Sequence, residues 1–388
     1  MMQSFDLYMP TRLLFGKGRI AELGPAIRNR GKKVLFVTGG NSIRRSGLHD
    51  RILGILADEG CSVAELAGVT PNPDISQVRR GVEICRAERI DLVLAAGGGS
   101  VLDAAKAVAA GALYPGDPWD LVSGKAPVQG HLPIFTVITL AATGSEFDDG
   151  GVISNAETRE KLVIEGGLIP EVSIADPEYT LTVPPFQTAA GAADILSHVF
   201  EQYFVREGNT LSDSFCEAVM RTVVRNAPVA VADPGNYEAR AELLAASSFG
   251  CCGLLSIGRT RSPWPCHAIE HELSAWYGIT HGAGLAVITP AWMRLSLTRE
   301  TAARFARYGE AVFGIREGSV EKRAGESIRR TGEFFRSIGL PSRLSEFGIT
   351  DEHFGEMADH VLATRGDLHD AFVPLGREGI LRVLRDSL

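Results

Sequence analysis

The chain has 388 residues, 45% of them hydrophobic, which is enough to bury two separate cores. Thirty-nine Lys and Arg stand against 47 Asp and Glu, giving a net charge of −8 with histidine neutral. An acidic balance with no basic block excludes nucleic acid and anionic membrane as expected partners.

Residues 33–37 form a β-rich apolar run that reads as a strand and stops at the turn Gly39-Gly40-Asn41-Ser42. A helix is predicted over 48–59 and a strand over 61–66. A second helix over 76–88 carries Val78, Val82, Ile84 and Cys85 as its apolar positions. The nearly continuous apolar run 91–96 is another strand, and its glycine turn feeds a helix over 101–110. One more strand is predicted over 133–138. Strands alternating with helices imply a parallel sheet covered on both faces. Beyond Pro184-Pro185 strand signals nearly vanish. Amphipathic patterns predict helices over 189–205, 211–226, 237–250, 302–312 and 320–338. The expected layout is an α/β nucleotide-binding domain over 1–183 and an all-helical metal-binding domain over 184–388.

Residues 1–10 lack a basic segment followed by an apolar core, so no secretory leader is expected. The uncharged stretch 243–258 is too short and too rich in Ser and Gly to span a bilayer, and reads as a buried helix. Cys61, Cys85, Cys216, Cys251, Cys252 and Cys266 form no C-x-x-C pair, so reduced thiols in a cytoplasmic protein are expected.

Gly97-Gly98-Gly99-Ser100 ends the strand at 91–96. Leu102 occupies the last glycine position of G-x-G-x-x-G, and no G-K-[ST] follows, so neither common phosphate motif is met. The physics still suits a pyrophosphate: glycines let backbone approach an anion, and the following helix points its positive end there. The turn at 39–42 has no acidic side chain for the ribose hydroxyls, while Arg44 and Arg45 lie just beyond. That leans towards NADP, although both arginines also fit a solvated surface. The loop Thr139-Leu140-Ala141-Ala142-Thr143-Gly144-Ser145-Glu146 follows a strand and could line the coenzyme.

Asp194 and His198 are four residues apart, as are His267 and His271, and His281 follows. Spacing of four puts both side chains on one helical face. Imidazoles with one carboxylate are the donor set of a divalent transition metal. Four protein ligands would fill a tetrahedral zinc site, whereas iron(II) accepts further groups, which favours Fe(2+) over Zn(2+). His49, His131, His353 and His369 lack such company and read as surface or structural. Cys266, beside His267, reads as a packed thiol. Trp264, Trp276 and Tyr277 flank the histidines and fit either a substrate pocket or helix packing.

Together, Gly97-Gly98-Gly99-Ser100 with Asp103 and Lys106, Thr143-Gly144-Ser145-Glu146, and Cys266-His267-Ala268-Ile269-Glu270-His271-Glu272-Leu273 with Thr280-His281-Gly282 resemble the iron-containing (group III) alcohol dehydrogenases. The resemblance covers nearly the whole chain. It implies a Rossmann-like domain joined to a helical domain, with Asp194, His198, His267 and His281 as metal ligands and His271 nearby. It also implies coenzyme contacts at Gly39, Asn72, Gly98, Gly99, Ser100, Thr139, Thr143 and Lys161, to which Gly40, Asn41, Gly97, Asp103 and Ser145 are added as neighbours in the same segments. A homodimer or larger homo-oligomer is implied as well. Asp148 stands where related sequences often carry asparagine, which would add negative charge close to the coenzyme. The implied reaction interconverts a primary alcohol or diol and its aldehyde with NADP or NAD. His271 serves either as proton relay or as support for the metal site. A maleylacetate reductase or a glycerol dehydrogenase of the same fold is the alternative.

Overall fold

A computed structural model describes residues 2–366 and 368–388. The chain divides into two compact units. One comprises residues 8–183 and 235–248, the other residues 1–7, 184–234 and 249–388. The segments 1–7 and 235–248 therefore lie outside a simple division at 183.

In the first unit the elements run β1 (Arg12–Phe15), α1 (Leu23–Ile27), β2 (Lys33–Thr38), α2 (Ser42–Arg45), α3 (Leu48–Asp58), β3 (Ser62–Leu66), α4 (Ile75–Glu88), β4 (Leu92–Gly97), α5 (Gly99–Leu113), α6 (Pro118–Val122), β5 (Ile134–Ile138), β6 (Gly151–Asn155), β7 (Glu160–Ile164) and β8 (Val172–Ala175). Six strands form a parallel sheet in the order β1-β8-β5-β4-β2-β3. Its strands are apolar because both faces are covered. Leu35, Val37, Val93 and Ala95 pack under α4 and α5, while Val34, Phe36, Leu92 and Leu94 pack under α1 and α3. The chain leaves β2 to one side of the sheet and β4 to the other. The crevice beyond the carboxyl ends of β2 and β4 is thus a topological switch point, the place where open α/β sheets bind ligands. The antiparallel pair β6–β7 was not expected from the sequence, nor were β1 and β8.

The second unit is built from α7 (Pro185–Tyr203), α8 (Thr210–Ala232), α10 (Pro265–Tyr277), α11 (His281–Ser296), α12 (Ala302–Phe313), α13 (Val320–Ser337), α14 (Phe354–Arg365) and α15 (Arg377–Arg385); α9 (Tyr237–Gly250) follows α8 in sequence, but its residues through Ser248 belong to the first unit. The helix expected over 243–258 ends at Gly250, and Gly253, with φ 85°, turns the chain into a short 3-10 segment. α7 is buried from Thr188 through Tyr203. Its last carbonyls are capped by arginines: Arg304 donates to Tyr203 O and Arg259 to Gln202 O, both guanidinium groups also holding Asp213. No helix of the described residues is long and apolar enough to cross a membrane.

Two predictions follow from this packing. A Cβ at Gly282 would stand 2.0 Å from Ala190 O, a backbone atom of α7 that cannot rotate away. Gly282→Ala is expected to cost about 3 kcal/mol, the upper end of overpacking, and an unchanged thermal midpoint would show that the helices do not meet there. In the α/β unit, Glu146 is fully buried and accepts from Ser248 Oγ at 2.6 Å, and burial pushes its carboxyl up to about 7. The unfolded chain releases this proton near pH 4.5, the folded chain near 7, so stability falls as pH rises between them, by about 3 kcal/mol in all. Glu146→Gln should therefore be more stable than the parent at pH 8, with the difference closing towards pH 4.5; parallel urea midpoints at both pH values would contradict a protonated Glu146.

Candidate metal centre and nucleotide loops

α7 brings Asp194 and His198 to one face, α10 brings His267 and His271, and His281 opens α11. Asp194 Oδ1 lies 3.9 Å from His267 Nε2, 3.6 Å from His281 Nε2 and 3.6 Å from His198 Nδ1. The donor atoms of Asp194, His267 and His281 all lie within 4.8 Å of one another. His198 abuts the same carboxylate oxygen, with its ring 4.7 Å from that of His267, but it is not part of that three-donor cluster. These separations are too long for hydrogen bonds. They approach the roughly 3.4 Å between donors that each sit about 2.1 Å from one tetrahedral cation.

Asp194 Oδ1 and His267 Nε2 are buried and have no hydrogen-bond partner. Such atoms carry a desolvation cost that a cation between them would remove. The far nitrogen of each ring is held by a carboxylate. Glu201, buried on α7, accepts from His267 Nδ1 and from the Cys266 and His267 amides, at 2.6 Å and 3.3 Å for the amides. Glu270 accepts from His281 Nδ1 and, at 2.5 Å, from Ser274 Oγ. With Nδ1 protonated, each Nε2 presents a lone pair towards Asp194. Burial depresses His198 to about 4, outweighing the opposite pull of Asp194, so its ring is neutral at pH 7 and able to ligate. The donor set thus fits a divalent metal.

Sequence reasoning missed Glu201 and Glu270. Each stands three residues after a histidine of interest, the one weak signal available. It also passed over His360, which α14 delivers to Glu272 at 2.8 Å. From the same helix Arg365 Nη2 reaches 3.5 Å from His271 Nδ1. His271 is buried beside His281, their rings 5.5 Å apart. Of the flanking aromatics, Trp264 meets the rings of His198 and His267, whereas Trp276 lies against His353, the two rings tilted by 32°. The Cys266 thiol is pushed well up by burial, which leaves it inert.

In the α/β unit, Gly97 closes β4, Gly98 is extended and Gly99 opens α5. Thr139 N donates to Gly97 O at 2.9 Å, and a Cβ on Gly99 would stand 2.4 Å from Thr143 Oγ1. The glycine loop and the Thr139–Thr143 loop are therefore in contact, with Ser100 on the first turn of α5, whose leading amides have no helical partner. Gly39, Gly40 and Asn41 lie at the end of the neighbouring β2. Asn72 has φ 54°, and the same turn is tied by Pro73 O to Ser154 N at 2.8 Å; Ser154 pairs with Lys161 across β6–β7. Asp103 and Ser145 bond each other at 2.7 Å, and Asp103 also accepts from Val152 N at 3.1 Å, so both brace the loops. Arg44 is in an ion pair with Glu65 at 2.7 Å, and His49 Nε2 lies 3.2 Å from the same carboxylate oxygen. Arg45 is exposed.

The family profile described as "Iron-containing alcohol dehydrogenase" matches residues 10–177, and the "Fe-containing alcohol dehydrogenase family, C-terminal" profile matches 188–388. The chain is 46% identical to NADH-dependent butanol dehydrogenase A of Clostridium acetobutylicum over the full length of both. It is 35% identical to an NADPH-dependent aldehyde reductase of Escherichia coli, covering 97% of this chain and 98% of that one. The crystal structure of NADH-dependent butanol dehydrogenase A from Thermotoga maritima superimposes with a TM-score of 0.96 at 38% identity, covering 100% of this chain and 99% of that chain. Two matched profiles and full-length relatives establish that this chain belongs to the iron-containing alcohol dehydrogenase family, and is an NAD(P)-linked oxidoreductase interconverting alcohols and aldehydes.

Proposed function

We propose that the chain reduces aldehydes to primary alcohols, and the reverse, with Fe(2+) held by Asp194, His198, His267 and His281. In this reading residues 1–183 bind the coenzyme and residues 184–388 bind the metal. The observation that carries it is the buried pair Asp194 Oδ1 and His267 Nε2, without hydrogen-bond partners and 3.9 Å apart. When bound, the iron supplies Lewis acidity that stabilises alkoxide character, and the nicotinamide supplies or takes up the hydride.

The chain's own residues do the positioning. Glu201 and Glu270 hold the Nδ1 protons of His267 and His281, fixing both tautomers and ring orientations. Arg365, which can only donate, faces His271 Nδ1, so the His271 proton sits on Nε2, where it can be exchanged with substrate oxygen. The glycine turn 97–99 and the Ser100 amide cradle the pyrophosphate, with Thr139 and Thr143 alongside; Gly39, Gly40, Asn41, Asn72 and Lys161 line the remainder.

NADH is proposed as the preferred coenzyme. A ribose 2′-phosphate near the end of β2 would need Arg44, whose guanidinium is neutralised by Glu65. The exposed Phe5, Leu7 and Tyr8 support assembly as a homodimer or larger oligomer. Six free cysteines are compatible with a reducing cytoplasm.

Anaerobic loading with iron, elemental analysis and an aldehyde panel test the main reading. His267→Ala should lose the metal and at least 1,000-fold in kcat/KM, roughly 4 kcal/mol of transition-state stabilisation, while far-UV dichroism is unchanged. Normal turnover in that variant, or reduction of maleylacetate without any aldehyde activity in the parent, would refute it. For the coenzyme, Glu65→Gln frees Arg44 and should raise the NADPH-to-NADH ratio of kcat/KM about tenfold, equivalent to about 1.4 kcal/mol; an unmoved ratio would remove Arg44 and Glu65 from the coenzyme's surroundings.

A further inference from the structure

Trp264 holds a backbone conformation that its chemistry disfavours. Its φ and ψ are 57° and 58°, a left-handed geometry that a bulky residue rarely adopts. Pro265 follows it, and a residue before proline is steered towards extended geometry. The conformation is fixed on both sides: Trp264 N donates to Ser262 Oγ at 3.1 Å, and Trp264 O accepts from Ala268 N at 2.9 Å as α10 begins. Strain of this kind persists only where surrounding structure enforces it.

The result is the placement of an indole. The Trp264 ring meets His198 edge-on at 5.9 Å and His267 edge-on at 5.2 Å. Both imidazoles stand against Asp194 Oδ1. The indole is therefore one ring's width from the place where the orphaned carboxylate and imidazole atoms converge. It is only half-buried, so it is not a core residue filling the bundle. Trp276, the other tryptophan of the segment, is occupied with His353 at 4.4 Å.

We infer that Trp264 is the side chain with which this centre selects primary over secondary alcohols, and aldehydes over ketones; the inference rests on the alcohol dehydrogenase reading above. In reduction, a hydride from NAD(P)H adds to the carbonyl carbon and a proton adds to its oxygen, leaving NAD(P)+ and the alcohol. An aldehyde carbon carries one carbon substituent and one hydrogen, and the hydrogen can face the indole. A ketone carries two carbon substituents, so one must occupy the volume of the indole. Excluding a group of one carbon in a hydrophobic pocket is worth about 10- to 200-fold in kcat/KM.

Trp264→Gly is the informative variant, because glycine adopts this φ freely and the α10 cap is kept. Iron content, thermal midpoint and kcat/KM for butanal and 2-butanone are measured on the iron-loaded protein. The ratio of 2-butanone to butanal kcat/KM should rise at least about tenfold over the parent with iron content unchanged, and Trp264→Phe should restore part of the discrimination. An active, iron-replete glycine variant with the parental ratio overturns the inference. So does loss of iron with both substrates falling in step, which would make the indole a prop for the imidazoles. A parent enzyme inactive on butanal at full iron occupancy is a different failure, since it sinks the alcohol dehydrogenase reading itself.

Discussion

The helical unit is organised around an electrostatic conflict. Asp194 Oδ1 is buried facing His267 Nε2 and His281 Nε2, and Glu201 and Glu270 hold the ring protons on the opposite nitrogens. Three donor atoms thus face one another, with no hydrogen bond between Asp194 Oδ1 and His267 Nε2 to relieve them. A hydrogen bond would need a separation near 2.9 Å; a shared cation needs the longer separations observed. The packing keeps the groups in place: α7 is buried along most of its length, its C-terminal carbonyls are held by arginines, and Gly282 lets α11 lie against Ala190. A metal that binds such a site contributes its binding free energy to folding.

Much of this was legible in the sequence, and what was not has physical reasons. Strands β2, β4 and β5 are buried on both faces, so their apolar runs stand out. β1 and β8 have four residues each, too few to show a period. β6 alternates buried and half-buried residues, yet it lies in a glycine-rich stretch that reads as loop. The uncharged run after α9 kept its apolar composition past Gly250, but composition does not register the left-handed turn at Gly253. The histidines and Asp194 were readable because their spacing is helical. Glu201 and Glu270 were not, because Glu201 serves a histidine on another helix and Glu270 one on the following helix. The same holds for His360 and Arg365, carried in on α14 nearly a hundred residues from their partners.

The glycine turn differs in kind from the metal site, since its information is in what is missing. Two of the three glycines stand where a neighbouring side chain already fills the space: a Cβ on Gly99 would enter Thr143, and one on Gly97 would enter Val101. The turn thus brings the amino end of α5 to the switch point of the sheet, packed against Thr143. Arg44 shows the converse limit. A cation near the end of β2 suggests phosphate binding only while its charge is available, and Arg44 is paired with Glu65 on the adjacent strand, which no reading of the turn alone could anticipate.

Asp148 completes the charge accounting of the α/β unit. Read from the sequence, it adds a negative charge close to the coenzyme. In the fold its carboxylate lies 2.5 Å from Lys106 Nζ, a fully buried ammonium that also donates to Asp148 O and Gly150 O. Asp103 and Glu146 are buried in the same region, and burial raises all three acids, Asp103 to about 6 and Glu146 to about 7. A low-dielectric pocket with one cation cannot hold three full carboxylate charges at low cost. The ammonium opposes the rise at each acid, and its direct ion pair is with Asp148, while the Glu146 carboxyl keeps its proton up to near neutrality. Asp148 therefore forms an ion pair with Lys106, and its charge is matched inside the protein.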